Sequence, residues 1–289
     1  LVIEVNKLIP LVAVHNLILD LPDPGGLVPV DLDLIILYRA FLLRQRQGVG
    51  SRVLAFLREE LKKAASADPK KPIFVFQHPH ITDTVAGSIN WGEDDLTAIM
   101  MDYPQIIDFS GHSHAPINDP RSIHQRHFTC LGTGTLSYFE LDEFDKYCST
   151  IPPQKEKAAQ MLVVEADADM RVRVYPYDLI TGNFFPMTWK IDSAWDVKSY
   201  LYTDARYKTT DAPWFENAEK IVISDITEDG FRVTFDQAKT EDVYVDDYNV
   251  IVKTADGTTV RNTTLWSEYY FYEMPATLSV EFKELNKNE

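Results

Sequence analysis

Two short apolar runs in this chain end on histidine, and that pairing limits the fold more than any other feature. The first is Ile73-Phe74-Val75-Phe76, followed by Gln77-His78-Pro79-His80. The second is Ile106-Ile107-Asp108-Phe109-Ser110, followed by Gly111-His112-Ser113-His114. Apolar runs this short, bounded by turn formers, predict buried strands. Histidines directly past two such strands predict a cluster of imidazoles at the rim of a sheet. Imidazole nitrogen suits Zn, Fe, Mn or Ni. Gly111 predicts a sharp turn free of a Cβ clash. His112 and His114 would share one face in a true strand; on a turn they fan toward two ions.

The surroundings predict a layered α/β domain. Val53 to Ala64 reads as an amphipathic helix with Leu54, Leu57, Leu61 and Ala64 in one stripe. Asp68-Pro69 and Lys70-Lys71-Pro72 end it and lead into the first strand, a helix–strand step. Ile81 to Gly92 is a turn-rich loop of the kind that carries substrate contacts. Asp94 to Met101 predicts a short helix. Gly132-Thr133-Gly134 follows a strand-like stretch but opens no helix, which excludes a nucleotide loop. Met161–Glu165 and Val172–Tyr175 predict a hairpin, and Tyr177 to Tyr207 reads as a wrapping linker. From about Ala212, short apolar runs at 221–224, 231–235, 248–252 and 278–282 predict a separate β-sandwich, similar in pattern to fibronectin type III or immunoglobulin-like modules.

The strand-end His78 and the later Gly111-His112-Ser113-His114 resemble the second half of the calcineurin-like metallophosphoesterases, in a bacterial subgroup that carries Gln77 to Thr84 and Asn90-Trp91-Gly92 after the first strand. The resemblance runs from about Arg52 to Ile191. It implies a metallophosphoesterase-like α/β (α+β layered) sandwich, incomplete at its N-terminus and followed by the all-β module. The organisation expected is 1–51 anomalous, 52–207 catalytic half and 208–289 β-sandwich. It also implies two divalent ions (Mn, Fe or Zn) with a bridging hydroxide that attacks phosphate mono- or diesters. His78, His112 and His114 would be metal ligands, His112 also catalytic, and His80 and Asp83 would line the substrate. The family's D-x-H, G-D-x-x-D and G-N-H-[DE] segments have no counterpart before Arg52. His15, in Val14-His15-Asn16, stands in reversed order, and Asp20, Asp23, Asp31 and Asp33 lie in no recognisable strand–turn context.

Residues 1–51 differ in character from the rest. Between Asp33 and Glu59 there is no acidic residue but there are five arginines: Arg39, Arg44, Arg46, Arg52 and Arg58. Such a stretch reads as foreign to the family, the product of a frame shift, a fusion or a truncation. The whole chain of 289 residues carries a net charge of −16. That field repels a nucleic-acid backbone, and it repels phosphoesters unless bound cations invert the local potential. Neither a transmembrane run nor a signal peptide is predicted, and the compartment stays open between cytoplasm and cell surface. Cys130 reads as a buried small hydrophobe. Two functions compete on the sequence: a phosphoesterase acting on a small-molecule substrate, and a degenerate, non-catalytic relative that binds a protein or cell-surface partner through its β-sandwich.

Overall fold

A computed structural model describes residues 12–15, 33–36, 51–143, 146–208, 212–216, 220–241 and 244–285. The chain forms two compact units, Leu1–Lys208 and Thr209–Glu289. It is a mixed α/β protein, mostly sheet with few helices, built from several sheets.

The first unit centres on six strands: β1 (Val12–His15), β2 (Asp33–Ile36), β3 (Ile73–Phe76), β4 (Ile106–Ser110), β5 (Ile123–Gln125) and β6 (Thr129–Gly132). Their spatial order is β1-β2-β3-β4-β6-β5. The pairs β2/β3, β3/β4 and β4/β6 are parallel, while β1 and β5 run antiparallel to their neighbours. Helix α1 (Ser51–Ala67) makes the crossover between β2 and β3, as a parallel pair requires.

Both faces of this sheet are covered, which is why β3 and most of β4 are apolar without alternation, Asp108 and Ser110 apart. On one face, Leu57, Leu61 and Ala64 of α1 pack against Ile73, Val75, Ile106 and Cys130, together with Leu96, Ile99 and Met100. On the other, Phe74, Ile107, Phe109, Ile123 and Leu131 meet Val172, Val174, Trp189, Ile191 and Ala194. Val172, Val174, Trp189 and Ile191 belong to a second, antiparallel sheet, and Ala194 follows its last strand. That sheet is formed by Gln160–Ala166, Val172–Asp178, Asn183–Phe184 and Trp189–Ile191.

The stretch 177–207 is therefore more than a linker. Trp189-Lys190-Ile191 pairs with Val172–Val174 and places two side chains in the core. Three residues are too few for alternation to stand out in sequence, which is why the strand reads as irregular. Cys130 and Cys148 are both buried and form no disulfide. No helix among the described residues is long and apolar enough to cross a membrane.

The second unit has a three-stranded antiparallel sheet, in the order Val222–Ser224, Phe231–Asp236, Thr277–Phe282, and a two-stranded pair, Asp247–Lys253 with Thr259–Trp266. Phe235 of the first sheet packs edge-on against Tyr248 of the pair, with ring centroids 5.2 Å apart. The strand Thr259–Trp266 escapes a sequence reading because Thr259-Val260-Arg261-Asn262-Thr263-Thr264 offers little apolar alternation. The expected foreign character of residues 1–51, and Asp20, Asp23 and Asp31 with it, lies largely outside the described residues.

Candidate functional site

The parallel register of β3 and β4 sets Phe76 beside Phe109. The ladder continues past both strands: Gln77 N–H donates to the Phe109 carbonyl at 3.0 Å, and Gly111 N–H to the His78 carbonyl at 3.0 Å. His78 and His112 are thereby delivered to the same rim. Their rings meet edge to face, with centroids 4.7 Å apart, and His78 Nε2 lies 2.8 Å from His112 Nδ1.

The turn is made differently from the sequence expectation. Gly111 does not adopt a positive φ, and a Cβ there would meet Thr133 Oγ1 at an ordinary 3.4 Å. The left-handed residues are His112 (φ 81°) and His114 (φ 54°). Non-glycine residues in that region are uncommon and are held there only by surrounding structure. A glycine is needed instead at Gly87 (φ 78°), in the facing loop, where a Cβ would stand 2.4 Å from Ser113 Cβ. That close approach wedges the Gly111–His114 turn from behind.

His114 faces away from the His78–His112 pair in its bonding. Its Nδ1 is 3.1 Å from the Tyr138 carbonyl, and its ring lies 4.4 Å from that of Tyr138. A carbonyl can only accept, so in this contact Nδ1 is the donor, with Thr135 Oγ1 also 3.3 Å from it, and Nε2 is the ring nitrogen turned to other partners. Carbonyl-oriented imidazoles of this kind are the usual second-layer arrangement around metal-binding histidines.

His80 is buried, 1% exposed. Nδ1 is 2.9 Å from Ser110 Oγ and Nε2 is 2.8 Å from Ser113 Oγ. Burial first, then the nearby His112 and His78 charges, lower its pKa from 6.5 to about 3. It is a neutral strut tying the end of β4 to the turn that carries His112, and it stands behind the rim rather than on it. Asp83, exposed and left-handed at φ 57°, pairs with Arg126 Nη1 at 2.9 Å. Arg126 in turn reaches Asp204, which also holds His124 Nε2 at 2.9 Å. Asp83 is thus tied into this exposed ion network. Trp91 supplies a wall: its Nε1 donates to the Cys148 carbonyl at 3.0 Å and its ring lies 5.1 Å from that of His112.

One buried group escaped the sequence reading. Asp108, fully buried in the middle of β4, accepts from Gln77 Nε2 at 2.8 Å through Oδ1, while its Oδ2 has no hydrogen-bond partner. Burial raises its pKa from 3.8 to about 7, against the lowering effect of hydrogen bonding from Gln77 and Ser110. An acid inside a run of isoleucine and phenylalanine is itself the signal that could have found it.

The donor set suits a divalent cation in kind. Two imidazole nitrogens bound to one tetrahedral ion at about 2.0–2.1 Å each stand about 3.3 Å apart, so the 2.8 Å pair admits an ion after opening by about half an ångström. No group of three or more His, Cys, Asp and Glu side chains gathered to hold one ion occurs among the described residues. The register of β1 with β2, and of β2 with β3, sets His15 and Asp33 level with Ile73, at the opposite end of β3 from His78. No family model and no curated protein matches the chain.

Proposed function

We propose that this chain is a metal-dependent phosphoesterase of the calcineurin-like class, hydrolysing phosphate mono- or diesters at the rim formed by His78, His112 and His114, with an immunoglobulin-like second unit. The observation that carries the reading is the His78–His112 contact at the carboxyl ends of adjacent parallel strands, the edge where open α/β sheets present ligands. The left-handed His112 and His114 support it, because strain of that kind gathers at functional sites.

His78 and His112 would hold a first divalent ion and His114, through Nε2, would serve a second. Bound there, the two ions would offset the phosphate charge and supply an activated water. His80 keeps the turn in place through Ser110 and Ser113. Trp91 fixes the orientation of the His112 ring and walls one side of the entrance. Asp83, in the loop that also carries Trp91, would line the substrate.

Hydrolysis of p-nitrophenyl phosphate and of its bis ester is the test. Turnover should rise on addition of Mn²⁺ and be abolished by a chelator. A chain with no turnover under any divalent metal would instead fit the non-catalytic relative.

A further inference from the structure

The antiparallel sheet of the first unit buries one face in the core and carries a groove on the other. Along Val172–Asp178, Val172 and Val174 are in the core, so Arg173, Tyr175 and Tyr177 belong to the outer face. Their partners across the ladders share that face: Glu165 and Lys190 on either side of Arg173, Val163 beside Tyr175, and Phe184 beside Tyr177. Residues 184–188 complete a groove of about 660 Å³, a volume within the range of small-molecule sites. Val163, Phe184, Pro186 and Met187 give it an apolar lining, and Glu165, Tyr175, Thr188 and Lys190 are its polar groups. None of these residues belongs to the histidine rim. Phe184 is 53% exposed yet held in place, its ring packing edge-on against Tyr177 at 4.8 Å and Tyr175 at 6.1 Å between centroids. The Tyr175 hydroxyl donates to Glu165 Oε2 at 2.7 Å and orients that carboxylate, whose Oε1 has no partner among the described residues. Lys190 is exposed, and its ammonium has no partner among the described residues; Asp192, two positions on, pairs with Arg173 at 2.6 Å.

We propose that this groove binds a neutral saccharide, with one sugar ring against Phe184 and Tyr175 and its hydroxyls on Glu165 and Lys190. The charges of the lining select that class. Glu165 and Lys190 offset each other, so a simple anion would meet Glu165 and a simple cation would meet Lys190. A neutral polar ligand or a zwitterion remains. Glu165 and Lys190 stand two strand spacings apart, about 9.5 Å between Cα atoms, with Arg173 between them. That separation suits hydroxyls at opposite edges of one ring, and it is too wide for the adjacent ammonium and carboxylate of an amino acid to serve both without drawing the side chains together. A hydroxyl both donates and accepts. A ring of hydroxyls therefore meets the Glu165 acceptor, the Lys190 donor and the Thr188 hydroxyl at once. The flat C–H face of the same ring covers the exposed Phe184, which is apolar surface removed from water.

The experiment is isothermal titration of the full chain with maltose, cellobiose and N,N′-diacetylchitobiose at millimolar concentrations, with L-phenylalanine beside them as an apolar zwitterion. At least one disaccharide should bind, and L-phenylalanine should not. Phe184→Ala should weaken the binding about fivefold or more, and Lys190→Met about threefold or more. Both side chains are exposed, so their replacement leaves the sheet in place, which circular dichroism checks. Ile180→Ala, also exposed but outside the groove, should leave the affinity unchanged. A chain that binds none of the three disaccharides would overturn the proposal. So would L-phenylalanine binding in their place, or saccharide binding that neither Phe184→Ala nor Lys190→Met weakens.

Discussion

Replacing His112 by alanine is expected to lower Mn²⁺-stimulated hydrolysis of bis-p-nitrophenyl phosphate by about 100-fold or more. Changes to groups that merely orient a metal-binding histidine cost about 10–100-fold, and His112 is assigned a closer role. Its ring touches His78 through the 2.8 Å contact, packs on Trp91 and sits on a backbone held left-handed. Alanine removes the donor nitrogen while keeping a Cβ, so the turn stays braced by His80 and Ser113. His127→Ala, at an exposed position next to β5, is the control and should leave the rate unchanged. Steady-state rates over a metal titration check both. A His112→Ala protein as active as the parent would remove the turn from the reaction.

The second large effect is on stability. Asp108 has a folded-state pKa of about 7 against an ordinary 3.8. Between those values the folded protein keeps a proton that the unfolded chain has lost. Its contribution is therefore most favourable at low pH, declines as pH rises through that window and is flat above about 7. The ionised carboxylate costs on the order of 4 kcal/mol at pH 8. His80 acts with the opposite sign: its pKa falls from 6.5 to about 3, so it withdraws stability as pH drops across that range. The two slopes nearly cancel from about pH 4 to 6.5, and the Asp108 decline shows between about 6.5 and 7.

Asp108→Asn isolates the acid. The amide oxygen can still accept from Gln77, while its NH₂ replaces an oxygen that has no partner. A buried donor left unmatched costs about 1–3 kcal/mol, so the net gain at pH 8 is on the order of 1–3 kcal/mol. At pH 5 the gain should vanish or reverse. Urea melts of both proteins at the two pH values measure it; a difference independent of pH would show that Asp108 does not titrate near neutrality.

The sequence made some of this legible and hid the rest for physical reasons. Runs such as Ile73–Phe76 and Ile106–Ser110 could be read because a strand covered on both faces is mainly apolar, Asp108 and Ser110 being the exceptions in the second. The stripe Leu57, Leu61 and Ala64 could be read because a helix covered on one face repeats every three to four residues. His78 and His112 could be paired because both follow such strands directly. The bonding of each imidazole could not. His80 and His78 are two residues apart, yet one is buried between two serines and the other lies at the rim. Only the tertiary packing of Ser110 and Ser113 decides that. The left-handed backbone likewise falls on the histidines rather than on Gly111, and the glycine that close packing requires is Gly87, in a loop over twenty residues upstream. Trp189–Ile191 and Thr259–Trp266 were hidden for lack of pattern, one too short and the other too polar.

Metal retention by the purified chain decides whether the rim of histidines is a metal site. The purified chain would be loaded with Mn²⁺ or Zn²⁺, desalted and analysed for metal, beside a His78→Ala/His112→Ala double variant. The parent chain should keep two ions, and the double variant should lose at least the one seated between those rings. A parent chain that retains no metal, or a double variant that retains as much as the parent, would contradict it.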